Sequence, residues 1–446
     1  MTTAVSKRRK QSLSSIRRRR ANGRFGEAAT RSLRAHPIVS LTSPEHWTLL
    51  TVCWTVDDGV TLDLGLMNHI EYTPGGQIAK IGAGARWGEV YTTLEPYGVT
   101  APGARASKVG IAGFLLSGGN CFFSSMVGFG CDNVVNFEVV LASGEVVNAN
   151  QETNADLHKA LKGGSCNFGV VTRFDVEVFK TGNLWGGQVV YPLSTTEQHI
   201  ATYVDWVDNI PSYPQGSAVN FWAYFPAAGD IVVAVALHDT TGTARAPAYD
   251  RFLSITPQIS DTLRVDSHLN MTIELDEPEG YRQIWVTITV KNDARFVRKA
   301  LEAQRDFIDG WKADQDPDFV NFVTIQAMPK LLFEQSVKRG GNITGMERET
   351  DNAVLYQMQH MVRTADQEAE ARKRLMPMRQ ALKQYSRDIG IDVEWQYLGY
   401  SDVGHDPLST CGPENIQLMR DVAAKYDPDG VFQRRVTGGF KLPDTV

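Results

Sequence analysis

Residues 103–178 read GARASKVGIAGFLLSGGNCFFSSMVGFGCDNVVNFEVVLASGEVVNANQETNADLHKALKGGSCNFGVVTRFDVEV. Glycines interrupt an apolar run at Gly110, Gly113, Gly118, Gly119, Gly128 and Gly130. Glycine weakens helix and strand alike, so its recurrence points to a backbone that turns tightly or lies against something flat. A strand-like run follows at Val134–Leu141, then the hairpin signal Ala142-Ser143-Gly144-Glu145. Gly163–Gly169 leads into another strand, Val170–Val178. Two glycine-rich turns, each tied to a strand, suit a backbone cradle for a long phosphate-bearing cofactor.

Working outward, residues 184–392 alternate strands with helices. Trp185–Tyr191, Ser217–Tyr224, Asp230–His238 and Tyr281–Val290 are rich in β-branched and aromatic residues. Thr195–Asn209, Ala294–Gly310 and Asp366–Asp388 read as helices. Ala353–Val362 alternates strictly, with Leu355, Gln357, Gln359 and Met361 on one face and Val354, Tyr356, Met358 and His360 on the other. This order predicts an α+β chain whose middle is an antiparallel sheet covered on one side by helices.

The 446 residues suit two or three domains, with ordinary hydrophobic (42%) and charged (22%) content. No apolar run is long enough to span a membrane, and the basic start lacks the apolar core of a signal peptide. The five cysteines (Cys53, Cys121, Cys131, Cys166, Cys411) have no metal-binding spacing, so buried free thiols and no metal are expected. Residues 1–36 hold eleven Lys/Arg against Glu27, a net of +10 in a chain of net −6. The expectation is a basic, disordered leader over 1–45, with an organelle transit segment as the alternative and a cytoplasmic location by default. The rest is acidic and carries no nucleic-acid signature, so neither nucleic acid nor membrane is an expected partner. The segment Gly82-Ala83-Gly84-Ala85-Arg86-Trp87-Gly88 has the wrong glycine spacing for a dinucleotide fingerprint, and no acidic strand end follows.

Four segments in order resemble one family. They are Asp58–Leu64 with Met67-Asn68, Ile81–Tyr91, the 103–178 stretch, and Trp395–Asp402 followed by Gly412–Asn415 and Tyr426–Phe432. Over about 57–180 and 393–440 the chain resembles the vanillyl-alcohol oxidase superfamily, and within it the berberine-bridge-enzyme-like oxidases of fungi. The resemblance implies a PCMH-type FAD-binding domain at 46–180, a substrate domain at 181–392 whose sheet roofs the flavin, and a return to the first domain at 393–446. It implies an FAD-dependent oxidase that takes hydride from a C–H bond of an alcohol, sugar or secondary metabolite and passes electrons to O2.

The family's usual pyrophosphate loop, Arg-x-Gly-Gly-Gly-His, falls just before Asp58, where residues 44–57 hold no glycine pair. Its second covalent anchor, a cysteine, falls at Ala106. FAD is therefore expected to bind non-covalently, and the alternative is an inactive remnant that binds FAD poorly or not at all. By the resemblance, Val109, Gly110, Ile111, Gly113, Gly118 and Gly119 face pyrophosphate and ring, and Gly169, Val170 and Val171 face the adenine or ribityl side. Arg105 and Tyr397 are further candidate flavin contacts. Tyr400 is the leading candidate to position or deprotonate the substrate, followed by Gln357, Gln359 and His360. Glu394 and Asp402 are expected to serve as ion-pair or capping groups.

Overall fold

The computed structural model describes residues 39–42 and 60–444. The basic leader and the segment expected to hold a pyrophosphate loop lie outside them, apart from a strand at Val39–Thr42 that pairs in parallel with Val60–Asp63.

Five strands form the first large sheet: β1 (Ile70–Tyr72), β2 (Ile78–Gly82), β3 (Val134–Val140), β4 (Val146–Asn150) and β5 (Val170–Glu177), in the antiparallel order β1-β2-β5-β3-β4. The hairpin signal closes β3 onto β4, with Gly144 at φ 89° and the Leu141 amide bonded to the Glu145 carbonyl. Alternate residues such as Phe137, Val139, Phe174 and Val176 are buried together with helix α1 (Trp87–Leu94) and the short helix α2 (Ile111–Leu116). Gly82 and Gly84 have a steric reason: an added Cβ would strike the carbonyls of Met67 and Leu64.

The second sheet contains β6 (Leu184–Pro192), β7 (Gly216–Tyr224), β8 (Ile231–Asp239), β9 (Arg282–Lys291), β10 (Val320–Met328) and β11 (Ala353–Val362), in the antiparallel order β6-β8-β7-β10-β11-β9. Short strands at Ser260–Asp261 and Asp392–Val393 extend its edges. Helices α3 (Thr196–Asn209), α4 (Ala294–Asp314) and α5 (Ala365–Asp388) cover one face. Asp293 caps α4 and Thr364 caps α5, each accepting a backbone N–H in the first turn. Side chains alternate across the pleat, so Trp222, Val233, Val286, Tyr356 and Met358 meet the helices. Their neighbours Phe221, Val232, Trp285, Gln357 and Gln359 face the other way, towards the first sheet.

After residue 393 the chain runs back to the first sheet. Leu408, Ile416, Met419 and Val422, the last three on helix α6 (Pro413–Tyr426), join its core. Among the described residues Cys121, Cys131, Cys166 and Cys411 are free thiols, and no group of His, Cys, Asp or Glu could hold a metal ion. No described helix is long and apolar enough to cross a membrane.

Candidate active site

The bare face of the second sheet roofs a cavity of about 420 Å³. Its floor is the stretch from Ala104 to Asn120, and Tyr397, Gly399 and Tyr400 of the returning chain close one side. Most of the wall is apolar: Val190, Val219, Phe221, Ala223, Val232 and Phe322 come from the sheet, Val109 and Phe114 from the floor.

Polar groups gather at one end. Arg105 donates to the Tyr400 hydroxyl at 3.2 Å and to the Gln326 side-chain carbonyl. The Gln326 amide donates in turn to Gln357, and Asn120 also donates to Gln326 at 3.3 Å. Tyr400 stacks on Trp285 with ring centroids 5.6 Å apart and planes only 5° from parallel, which fixes the direction of its hydroxyl. The Trp285 amide is held by Asp402 at 3.0 Å, and Asp402 pairs with Arg372 at 2.9 Å. Asp402 thus braces the tyrosine's stacking partner. Gln359, the next inward residue along β11, donates to Gln283 at 3.0 Å.

Gln326 and Glu277 are cavity residues that sequence reasoning missed. Strand β10 carried a readable signal, the β-branched run Val320-Asn321-Phe322-Val323-Thr324-Ile325, and two-residue periodicity places Gln326 on the face of Phe322 and Thr324. Glu277 lies in an irregular loop, where periodicity gives no direction.

The structure corrects one expected catalytic residue. His360 lies on the opposite side of β11, under the helices. Its ring packs against Trp311 at 4.5 Å, Phe307 at 4.8 Å and Phe319 at 5.3 Å, and Nδ1 accepts from Asn321 at 3.4 Å. Burial, aided by the Arg374 charge, lowers its pKa to about 3, so it is a neutral core residue. One residue of register separates it from Gln359 and turns it away from the cavity.

The candidate flavin contacts divide. Arg105, Val109 and Tyr397 line the cavity. Gly110 precedes α2 and bridges to Arg86, while the Ile111 amide bonds the Ala85 carbonyl at 3.0 Å and Gly113 lies within α2. Gly118 and Gly119 adopt φ of 111° and 94°, and the amides of Gly119 and Asn120 both donate to the Tyr397 hydroxyl at 3.0 Å. Burial raises the Tyr397 pKa well above the usual phenol value, so the hydroxyl keeps its proton. The amides of Ile111 and Gly119 are therefore occupied within the protein and are not offered to a phosphate, contrary to the cradle expected there. Gly169 is backed by Val139, where a Cβ would clash. Val170 and Val171 pair with Val140 and Val139, and Val170 packs with Leu62, Val431 and Phe432.

The cavity fits the ring end of FAD. Most of its wall is apolar, and side-chain N–H donors from Arg105, Asn120, Gln326 and Gln357 gather at one end, matching the carbonyl and nitrogen acceptors along one edge of a flavin ring. The residues where the family's pyrophosphate loop would fall lie outside those described.

Residues 36–150 match the model of the FAD binding domain family. The chain is 37% identical over 390 residues to the FAD-dependent monooxygenase sdcF of Emericella nidulans, covering 87% of this chain and 81% of the relative. It is also 37% identical to the FAD-dependent monooxygenase drtC of Aspergillus calidoustus, covering 86% of this chain and 73% of the relative. Among solved structures, 6-hydroxy-D-nicotine oxidase from Arthrobacter nicotinovorans superposes with a TM-score of 0.73 at 19% identity over 94% of this chain and 90% of that one. The BBE-like 1 protein of Physcomitrella patens gives 0.71 at 19% over 94% and 88%. With its cavity between a PCMH-type floor and a sheet roof, the chain belongs to the FAD-dependent oxidoreductases of the vanillyl-alcohol oxidase superfamily.

Proposed function

We propose that this enzyme oxidises a small organic substrate, an alcohol, sugar or secondary metabolite, by removing hydride from a C–H bond, and that O2 is the final electron acceptor. The observation that carries this reading is the polar end of the cavity, where Arg105, Gln326, Gln357 and Tyr400 form one connected hydrogen-bond group against apolar walls. Bound FAD supplies the two-electron acceptor.

The protein's own part follows from who donates to whom. Arg105 donates to the Tyr400 oxygen, which leaves the phenol's proton free for a substrate oxygen. Gln326 accepts from Arg105 and so presents its amide to Gln357, which fixes the orientation of both side chains. Tyr400 thus binds and orients the substrate's heteroatom, while Phe221, Phe322 and Val232 exclude water from its carbon skeleton. The test is anaerobic: a panel of primary alcohols, oligosaccharides and hydroxylated aromatics is mixed with the FAD-loaded protein. Bleaching of the flavin absorbance by one class supports the reading, and a flavin that stays oxidised throughout opposes it.

The names of the relatives favour a second reading, monooxygenation. Turnover under ¹⁸O2 separates the two, because an oxidase releases labelled hydrogen peroxide whereas a monooxygenase leaves one labelled atom in its product.

The cavity wall supports non-covalent FAD. Ala106 lines it with no nucleophile, and none of the described lining residues is Cys or His. Acid precipitation of the holoenzyme is expected to release the flavin to the supernatant. Flavin fluorescence that stays with the denatured chain on a gel would contradict this.

A further inference from the structure

The loop Glu274-Leu275-Asp276-Glu277-Pro278-Glu279 enters strand β9 along the cavity and carries four carboxylates. Three are engaged outside the polar end. Glu274 accepts from Arg264 and from the Thr262 hydroxyl. Asp276 accepts from the Ser107 hydroxyl at 2.6 Å and the Lys108 amide at 3.1 Å. Glu279 pairs with Lys108 on the surface. Glu274 and Asp276 line the cavity as well, but Glu277 is the one whose carboxyl meets the side chains of Gln359 and Gln283. Among the described residues no ion pair includes it, and the charged group that acts on it is its neighbour Asp276, of the same sign. The other cavity charges are Glu274, already paired, and Arg105, committed to Gln326 and Tyr400.

Gln359 and Gln357 are successive inward residues of β11, so the two clusters they serve are roughly 7 Å apart along the strand. That span suits one small molecule touching both.

We propose that Glu277 is a second catalytic residue of the oxidation read above, accepting the proton that leaves a substrate O–H or N–H as the adjacent C–H is oxidised. The substrate class is then H–C–X–H, with X oxygen or nitrogen. The C–H electron pair passes with its hydrogen to FAD as oxidant, the X–H proton passes to the carboxylate, and a C=X bond forms. Gln359 and Gln283 hold the carboxylate in place, and Tyr400 hydrogen-bonds X. A base is required because Tyr400 serves as a donor and the Arg105 guanidinium is only a donor, committed to Gln326 and Tyr400.

Desolvation, reinforced by Asp276, raises the Glu277 pKa above the ordinary 4.5. The sign follows: a raised folded-state value contributes stability that is full below 4.5 and is lost as pH rises through the folded value. Glu277→Gln removes that dependence.

Two measurements test the assignment. In thermal unfolding of the full chain without flavin or substrate, Glu277→Gln is expected to gain in melting temperature over wild type as pH rises from about 4.5 to 8, with the gain vanishing at the acid end. A difference that does not vary with pH would overturn the proposal. In anaerobic single-turnover reduction with the panel compound that bleaches wild type fastest, Glu277→Gln is expected to be slower by about 10²-fold and to lose the wild-type rise in rate with pH. A variant that keeps both rate and rise would equally overturn it. If no panel compound bleaches wild type, the oxidase reading fails by itself, while the unfolding series still decides whether Glu277 holds a proton in the fold.

Discussion

Tyr400→Phe is expected to slow anaerobic flavin reduction by about 10²-fold, the usual scale for a positioned hydrogen-bonding or proton-transferring group. The substitution keeps the ring stacked on Trp285 and removes only the hydroxyl that Arg105 holds at 3.2 Å. Stability should change by about 0.5–1.5 kcal/mol, the net worth of one hydrogen bond. FAD affinity should change little, because the guanidinium retains Gln326. A tyrosine with a purely structural role gives the reverse pattern: a lower melting temperature with near-normal reduction. Measuring both quantities on the same preparation separates the two outcomes.

The second large effect concerns a clasp between the floor and the segment that follows β10. Asp132 is buried at 5% exposure and accepts from the Phe129 amide at 2.8 Å, from the Ser336 hydroxyl and from the Asn342 side chain at 2.9 Å. It joins the Gly128–Asn133 turn to residues 336–342, which are more than 200 positions away in the chain. Desolvation raises its pKa, and these donors and the Lys162 charge oppose the rise. Asp132→Ala strands three buried donors, each costing about 1–3 kcal/mol when unpaired, so a loss of about 3 kcal/mol or more is expected in urea unfolding. Asp132→Asn keeps the shape and part of the acceptor capacity and should cost clearly less. Equal losses for the two variants would show that neither the shape nor a single remaining acceptor oxygen holds the clasp, and that the full carboxylate is needed.

Much of this fold was legible in the sequence. The 103–178 stretch announced its strands and hairpin through β-branched runs and turn residues. The strands at 185–191, 217–224 and 281–290 lie within a residue or two of those observed. The alternation of Ala353–Val362 separated Gln357 and Gln359 from His360, and the structure uses that split, with amides in the cavity and imidazole in the core. Ranking His360 as a candidate overrode the period in favour of its chemistry, and burial decided the matter. The glycines were legible as close approaches but not as to what approaches: for Gly82, Gly84 and Gly169 it is the protein itself. Pairings such as Arg105 with Gln326, 221 residues apart, exist only once two sheets are packed, and local periodicity contains no trace of them. Glu277 was illegible for a related reason, since an irregular loop has no repeating face to say which of its carboxylates meets Gln359.

The most direct test of the flavin's place is a titration of FAD into the folded protein, followed by quenching of flavin fluorescence, for wild type and Ala106→Trp. Ala106 lines the cavity floor beside Arg105, so an indole there would occupy the slot assigned to the ring. Wild type is expected to take up FAD. The variant should keep its melting temperature, because the added bulk points into open space, yet bind FAD about tenfold or more weakly, in line with the roughly 1–3 kcal/mol cost of an over-packed contact. An Ala106→Trp protein that binds FAD as tightly as wild type would show that the flavin ring does not lie in this cavity.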